Sequence, residues 1–114
     1  MDKTSIRLLF CGTHVELAYP ALQQLIDDQF NIVGIATAPD RSKGRGQKKQ
    51  FSPIKELGLA HHIPIFQPES IRCNEEIYES FQKLDVDLMI VAGYGLILPQ
   101  AILDIPKYGC LNIH

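Results

Sequence analysis

Three short apolar runs constrain this chain more than any other feature. They are Ile6 to Cys11, Ile32 to Ala36 and Leu88 to Ala92, and the first and last are broken at glycines, Gly12 and Gly93. Runs of this length without polar alternation suit strands buried on both faces, the condition inside a parallel sheet. Between the first two runs, Leu17, Ala21, Leu22, Leu25 and Ile26 fall on one helical face. Strand, helix, strand is a βαβ unit, and its crossover is expected to be right-handed. Pro20 is acceptable only near the start of that helix.

The rest of the chain continues the alternation. Ser52 can cap a helix with Pro53 at its first position, running to about His61. His61 and His62 adjoin its end and read as structural. Pro64 to Phe66 is a short third strand. Asn74 can cap the next helix, where Glu75 and Glu76 suit the positive end and Ile77, Phe81 and Leu84 form the buried stripe. After Leu88 to Ala92, the glycines of Gly93-Tyr94-Gly95 allow a tight bend close to a ligand. Pro99 can open a short helix that Pro106 closes, and a last strand runs from Cys110 to His114. The pattern predicts one small α/β domain, a mostly parallel sheet in three layers.

Composition narrows the function classes. The 114 residues are 46% hydrophobic and carry a net charge of −2, with no apolar run near the length of a membrane span. The start, MDKTSIRLLFCG, is no convincing signal peptide. Cys11, Cys73 and Cys110 have no C-x-x-C spacing and read as reduced core thiols, neither disulfides nor metal ligands. The chain reads as cytoplasmic. The first turn, CGTHVE, holds a single glycine where a dinucleotide fold wants G-x-G-x-x-G, which argues against NAD or FAD. His14 is a turn residue in this reading.

Two stretches carry chemistry. Asp40 to Gln50, DRSKGRGQKKQ, sets Arg41, Lys43, Arg45, Lys48 and Lys49 against Asp40, a net of +4 on an otherwise acidic chain. With no apolar residue to pin it, the segment is expected to be a mobile loop. Its charge suits either a solvated surface or phosphate contacts to nucleic acid. At the other end, strand alternation puts Cys110, Asn112 and His114 on one face and Leu111 and Ile113 on the other. An amide and an imidazole at a strand's carboxyl end lie where open α/β sheets bind ligands. Asn112 can donate to a developing oxyanion, and His114 can donate or exchange a proton. Asp104 precedes the strand and belongs to the helix.

AGYGLILP followed by GCLNIH resembles the folate-dependent formyltransferases, in which an Asn-x-His strand follows a glycine-containing loop that holds the folate. PDRSKGRGQKK followed by SPIK is similar to the basic loop of the branch that formylates methionyl-initiator tRNA, where it enters the acceptor end. The first turn keeps the family's Gly12-Thr13 but has His14 where the family has proline. The resemblance implies a partial doubly wound, Rossmann-like sheet. It implies formyl transfer from 10-formyltetrahydrofolate to the amino group of methionyl-initiator tRNA in translation initiation, with no metal and no NAD. Asn112 and His114 take the catalytic positions. The backbone of Leu96, Ile97 and Leu98 takes the folate. Arg41, Lys43, Arg45, Lys48 and Lys49 take the tRNA, with Arg45 as the contacting arginine. The full-length relative is expected to be a monomer without membrane attachment. The family continues past the Asn-x-His strand with a Ser-Leu-Leu-Pro segment, a catalytic aspartate and a further domain. Residues 1–114 are therefore expected to be a truncated amino-terminal domain, inactive alone. Two alternatives stay open: another folate formyltransferase or formyltetrahydrofolate hydrolase, and a non-catalytic remnant acting as an RNA-binding module.

Overall fold

A computed structural model describes residues 2–43 and 48–113. After a 3₁₀ turn at Lys3–Ser5 the chain runs β1 (Arg7–Cys11), α1 (Val15–Asp27), β2 (Asn31–Ala36), β3 (Arg41–Lys43), β4 (Lys48–Gln50), α2 (Pro53–Ala60), β5 (Ile65–Phe66), α3 (Glu75–Lys83), β6 (Leu88–Ala92), α4 (Gln100–Leu103) and β7 (Cys110–Ile113). Five strands form one sheet in the order β5-β2-β1-β6-β7, and every pairing in it is parallel. The expected α/β architecture is present. The strand order moves outward in one direction from β1 and then in the other, so the reversal falls between β1 and β6. The carboxyl ends of those two strands flank the crevice where doubly wound sheets bind ligands.

Each sheet face has its own core. Leu9, Cys11, Val33, Ala36 and Met89 pack with Ile77 and Phe81 of α3 and Ile102 of α4. Phe10, Ile32, Ile35, Ile90 and Ala92 pack with Ala18 and Leu22 of α1 and Ile54 of α2. Strands covered on both faces need apolar residues at successive positions, which is what the three founding runs supply.

The predicted caps form. Ser52 Oγ accepts from the Lys55 amide at 3.2 Å and Asn74 Oδ1 from the Ile77 amide at 3.1 Å. Four expectations need correction. Pro20 is the sixth residue of α1, beyond its first turn. It deprives the Glu16 carbonyl of its helical donor, at a point where both residues are exposed to solvent. Pro99 caps α4 from outside and is not its first residue. Cys73 is exposed and so is no core thiol. The basic segment is not structureless: β3 and β4 pair antiparallel, Arg41 with Gln50 and Lys43 with Lys48. Backbone pairing needs no apolar side chain, so hydropathy gave no sign of it.

The register between β1 and β2 shifts after Leu8, which pairs with Ile32, while Leu9 pairs with Gly34. Val33 is the extra residue. It explains how Ile32 and Ile35, three apart, join one core while Val33 and Ala36 join the other. The shift also brings Cys11 level with Ala36, so that the Gly12 amide donates to the Ala36 carbonyl at 3.0 Å.

Candidate functional site

The turn after β1 and the turn after β6 are stitched together across the reversal point. The Gly93 carbonyl accepts from the amides of Thr13 and His14, at 2.9 and 3.0 Å. The Gly95 amide donates to Thr13 Oγ1 at 3.2 Å. Glycine is required on both sides of the stitch. Gly93 has φ +63°, a left-handed conformation that side chains resist. A Cβ on Gly12 would stand 2.7 Å from Ala18 Cβ and 2.9 Å from the Ala92 carbonyl oxygen. Sequence reading identified the Gly93 bend but not Thr13 as the residue that holds it, since the two are 82 residues apart for the Gly95 contact.

On the β2 side of the stitch lies an open cleft of about 740 Å³. Thr13 and His14 form one wall, Thr37 to Asp40 the floor, and Arg41 with Gln50 to Pro53 the other wall. The floor leads out of β2, and the second wall is the root of the basic hairpin and the start of α2. His14 occupies the capping position of α1 without a side-chain bond to the helix. It is exposed on the cleft, which adds a ligand-facing location to its reading as a turn residue.

A compact polar network holds the hairpin wall. Lys55 Nζ lies 2.7 Å from Asp40 Oδ2 and 2.9 Å from Gln67 Oε1. Gln67 Nε2 donates to Asp40 Oδ1 at 2.8 Å and to the Ala38 carbonyl at 3.0 Å. Lys55 and Asp40 are only 12% and 15% exposed. Lys55 Nζ also stands 3.8 Å from the ring centroid of Phe51. Lys55 and Gln67 were missed in the sequence because their partners lie 15 and 27 residues away.

On the β7 side, Leu96 and Leu98 pack partly against the first core, while Ile97 is 93% exposed. Ile97 is therefore no core residue. The backbone groups of Leu96 to Leu98 make no hydrogen bond among the described residues. Two apolar anchors there flank unpaired amides and carbonyls, an arrangement suited to a flat ligand with donors and acceptors along its edge. Asn112 lies on β7 in register with Val91 and is exposed. Neither Asn112 nor Leu96 to Leu98 lines the cleft, so the predicted residues divide between two neighbouring regions on either side of the stitch. Arg41 is exposed on the cleft. Lys43, Lys48 and Lys49 lie on the hairpin strands, their side chains outside the described residues, and Arg45 and His114 lie outside the described residues altogether.

Two groups under the site resist ionisation. Burial, and then the neighbouring Cys110, pushes the Cys11 thiol well above its usual range. Burial, and then Cys11, pushes the Tyr94 phenol up. The Tyr94 hydroxyl is buried without a hydrogen-bond partner among the described residues. Nothing in the spacing of GYG signalled that.

Comparison with known proteins agrees with this architecture. A family model described as formyl transferase matches residues 6–114. The chain is 49% identical over 109 residues to a methionyl-tRNA formyltransferase from Francisella tularensis subsp. mediasiatica (strain FSC147), covering 96% of this chain and 34% of that protein. A methionyl-tRNA formyltransferase from Francisella tularensis subsp. novicida (strain U112) is 48% identical over the same length. The chain thus spans about a third of the length of these curated relatives. Among solved structures, a phosphoribosylglycinamide formyltransferase from Anaplasma phagocytophilum superposes with a TM-score of 0.65 at 21% identity, covering 96% of this chain and 49% of that one. At that identity the likeness concerns the fold.

Proposed function

The chain belongs to the formyl transferase family, and from that premise we propose that its complete protein transfers a formyl group from 10-formyltetrahydrofolate to the amino group of methionyl-initiator tRNA. The observation that carries the tRNA half is the basic hairpin rooted on the wall of the cleft. Its sequence from Arg41 to Lys49 holds five Lys and Arg residues and no acid. Clustered cations beside an open cleft at the carboxyl edge of a sheet are suited to an RNA end.

The residues divide the work. The unpaired backbone groups at Leu96 to Leu98 hold the folate's heterocycle edge, with Leu96 and Leu98 as anchors. The folate, when bound, supplies the formyl carbon. Attack by an amine on that carbon develops charge on the formyl oxygen, and Asn112 donates an N–H to it. Collapse of the tetrahedral centre then breaks the bond from the formyl carbon to the folate nitrogen, which leaves carrying a proton equivalent to the one the amine gives up. His114 donates a second, charged hydrogen bond or exchanges a proton with the amine. Arg41, Lys43, Arg45, Lys48 and Lys49 contact the tRNA backbone. The hydrogen bonds from Thr13 and His14 to Gly93 tie the donor side to the cleft.

The test uses the full-length protein. Arg45→Ala should raise the KM for charged initiator tRNA and leave folate binding nearly unchanged. The salt slope of tRNA binding should shrink by about 0.9 for a duplex phosphate contact or 0.7 for a single-stranded one. Equal loss of folate and tRNA binding would remove the basis for a tRNA-contacting hairpin.

A further inference from the structure

Phe51 has no role in the reading so far, and its setting is unusual. It sits between β4 and the capping Ser52, lines the cleft and is 42% exposed. One face of its ring is held by Lys55 Nζ, 3.8 Å from the centroid. That ammonium is itself fixed by Asp40 and Gln67 and only 12% exposed. The ring is therefore backed by a cation that is itself hydrogen-bonded, while the residue stays 42% exposed on the lining of the cleft. A cation held over an aromatic face is attracted to it by the ring quadrupole, most strongly where water is scarce.

We propose that Phe51 is a stacking platform for an unpaired RNA base entering the cleft. Three features of the surroundings select this ligand. The cleft is open and roughly 740 Å³, ample for a nucleoside, since small-ligand sites run from about 300 to 1,000 Å³. Arg41 stands on the same wall, a guanidinium suited to a phosphate. Thr13, Thr37 and Ser52 border the space with hydroxyls that suit a ribose or a base edge. Single-stranded RNA is recognised by this combination of aromatic faces and cations. The inference rests on the tRNA reading above and adds to it where the terminal nucleotide lies: against α2's capping turn, on the β2 side of the stitch.

The experiment uses the full-length protein with Phe51→Leu and Phe51→Trp. The probes are a short single-stranded oligoribonucleotide with a 3′-terminal adenosine and the same oligonucleotide with an abasic 3′ residue. Stacking on one base is worth enough that Phe51→Leu should lower affinity for the first probe roughly 5- to 150-fold. Affinity for the abasic probe should not change. Phe51→Trp should retain affinity, and because the described sequence has no tryptophan, excitation selective for this indole in a full-length protein lacking others should show quenching by the first probe only. Unchanged affinity of Phe51→Leu, or an equal loss on both probes, would overturn the platform while leaving the tRNA reading intact. Failure of the unaltered protein to bind either probe while it still binds charged tRNA overturns the platform alone; failure to bind RNA of any kind overturns both.

Discussion

Replacing Lys55 by methionine should cost far more than removing a surface lysine. The ammonium is 2.7 Å from Asp40 Oδ2 and 2.9 Å from Gln67 Oε1, at 12% exposure. Methionine keeps most of the stem and loses both hydrogen bonds and the contact with the Phe51 ring. A hydrogen bond to a charged group is worth about 1.5–3 kcal/mol, and breaking a fully buried ion pair costs about 3–5 kcal/mol. Asp40 is 15% exposed, so water recovers part of that cost, and Gln67 Nε2 still donates to it at 2.8 Å. The loss works out at about 2–4 kcal/mol, near or just below the fully buried range. For a domain of this size that lowers the melting temperature by roughly 8–16 °C, at about 4 °C per kcal/mol. The assay is urea and thermal unfolding of Lys55→Met, Asp40→Asn and the double variant. The two losses should be far from additive, with a coupling of about 1.5–3 kcal/mol. A loss under about 0.5 kcal/mol for Lys55→Met, or additive losses, would refute the view that this network holds the hairpin wall.

Three other outcomes follow from the geometry. Gly12→Ala should destabilise by about 1–3 kcal/mol, measured by chemical unfolding, because its Cβ has backbone oxygen on one side and α1 on the other; wild-type stability would mean the two turns part easily. Stability should decline as pH rises above the ordinary thiol value of about 8.5. The folded protein holds Cys11 neutral beyond it, so the unfolded chain releases the proton first and the stabilisation present at lower pH drains away. Cys11→Ala should flatten that decline by up to about 1.4 kcal/mol per pH unit, read from unfolding free energies across the alkaline range. In the full-length protein Asn112→Ala should lower turnover on the order of 10²–10³ with little change in folate affinity, and an equal fall in affinity would make Asn112 a binding residue.

The strands were legible because burial on both faces writes a simple signature, a run of apolar residues, after the first residue of β1 and of β2 and along β6. The caps at Ser52 and Asn74 were legible because capping is local. What escaped was set by partners distant in sequence. Thr13 holds Gly95, and Lys55 holds Asp40 and Gln67, through contacts that no spacing announces. The β3–β4 hairpin escaped for a different reason: its sequence holds no apolar side chain, and its ladder is made by backbone alone. Cys73 was misread because residue type favours burial while its position, φ +54° just before the cap of α3, sets it in solvent. The candidate site was half legible. Its glycine turn and Asn112 stood out as motifs, whereas the cleft beyond the stitch depends on where β2 ends.

That ending has a measurable length behind it. Val33 adds one residue to β2 relative to β1, about 3.3 Å of strand. Deleting it would leave Ile32 opposite Leu8 and Gly34 opposite Leu9, an unbroken ladder. Strict alternation would then still turn Ile35 and Ala36 to their present cores. The segment from Thr37 to Asp40 would keep its place, and the loss would be the Val33 side chain in the first core. Val33 is thus a spare link in the chain: the length of β2 can change by one residue there, at a cost to the core, while the rim of the cleft stays where it is.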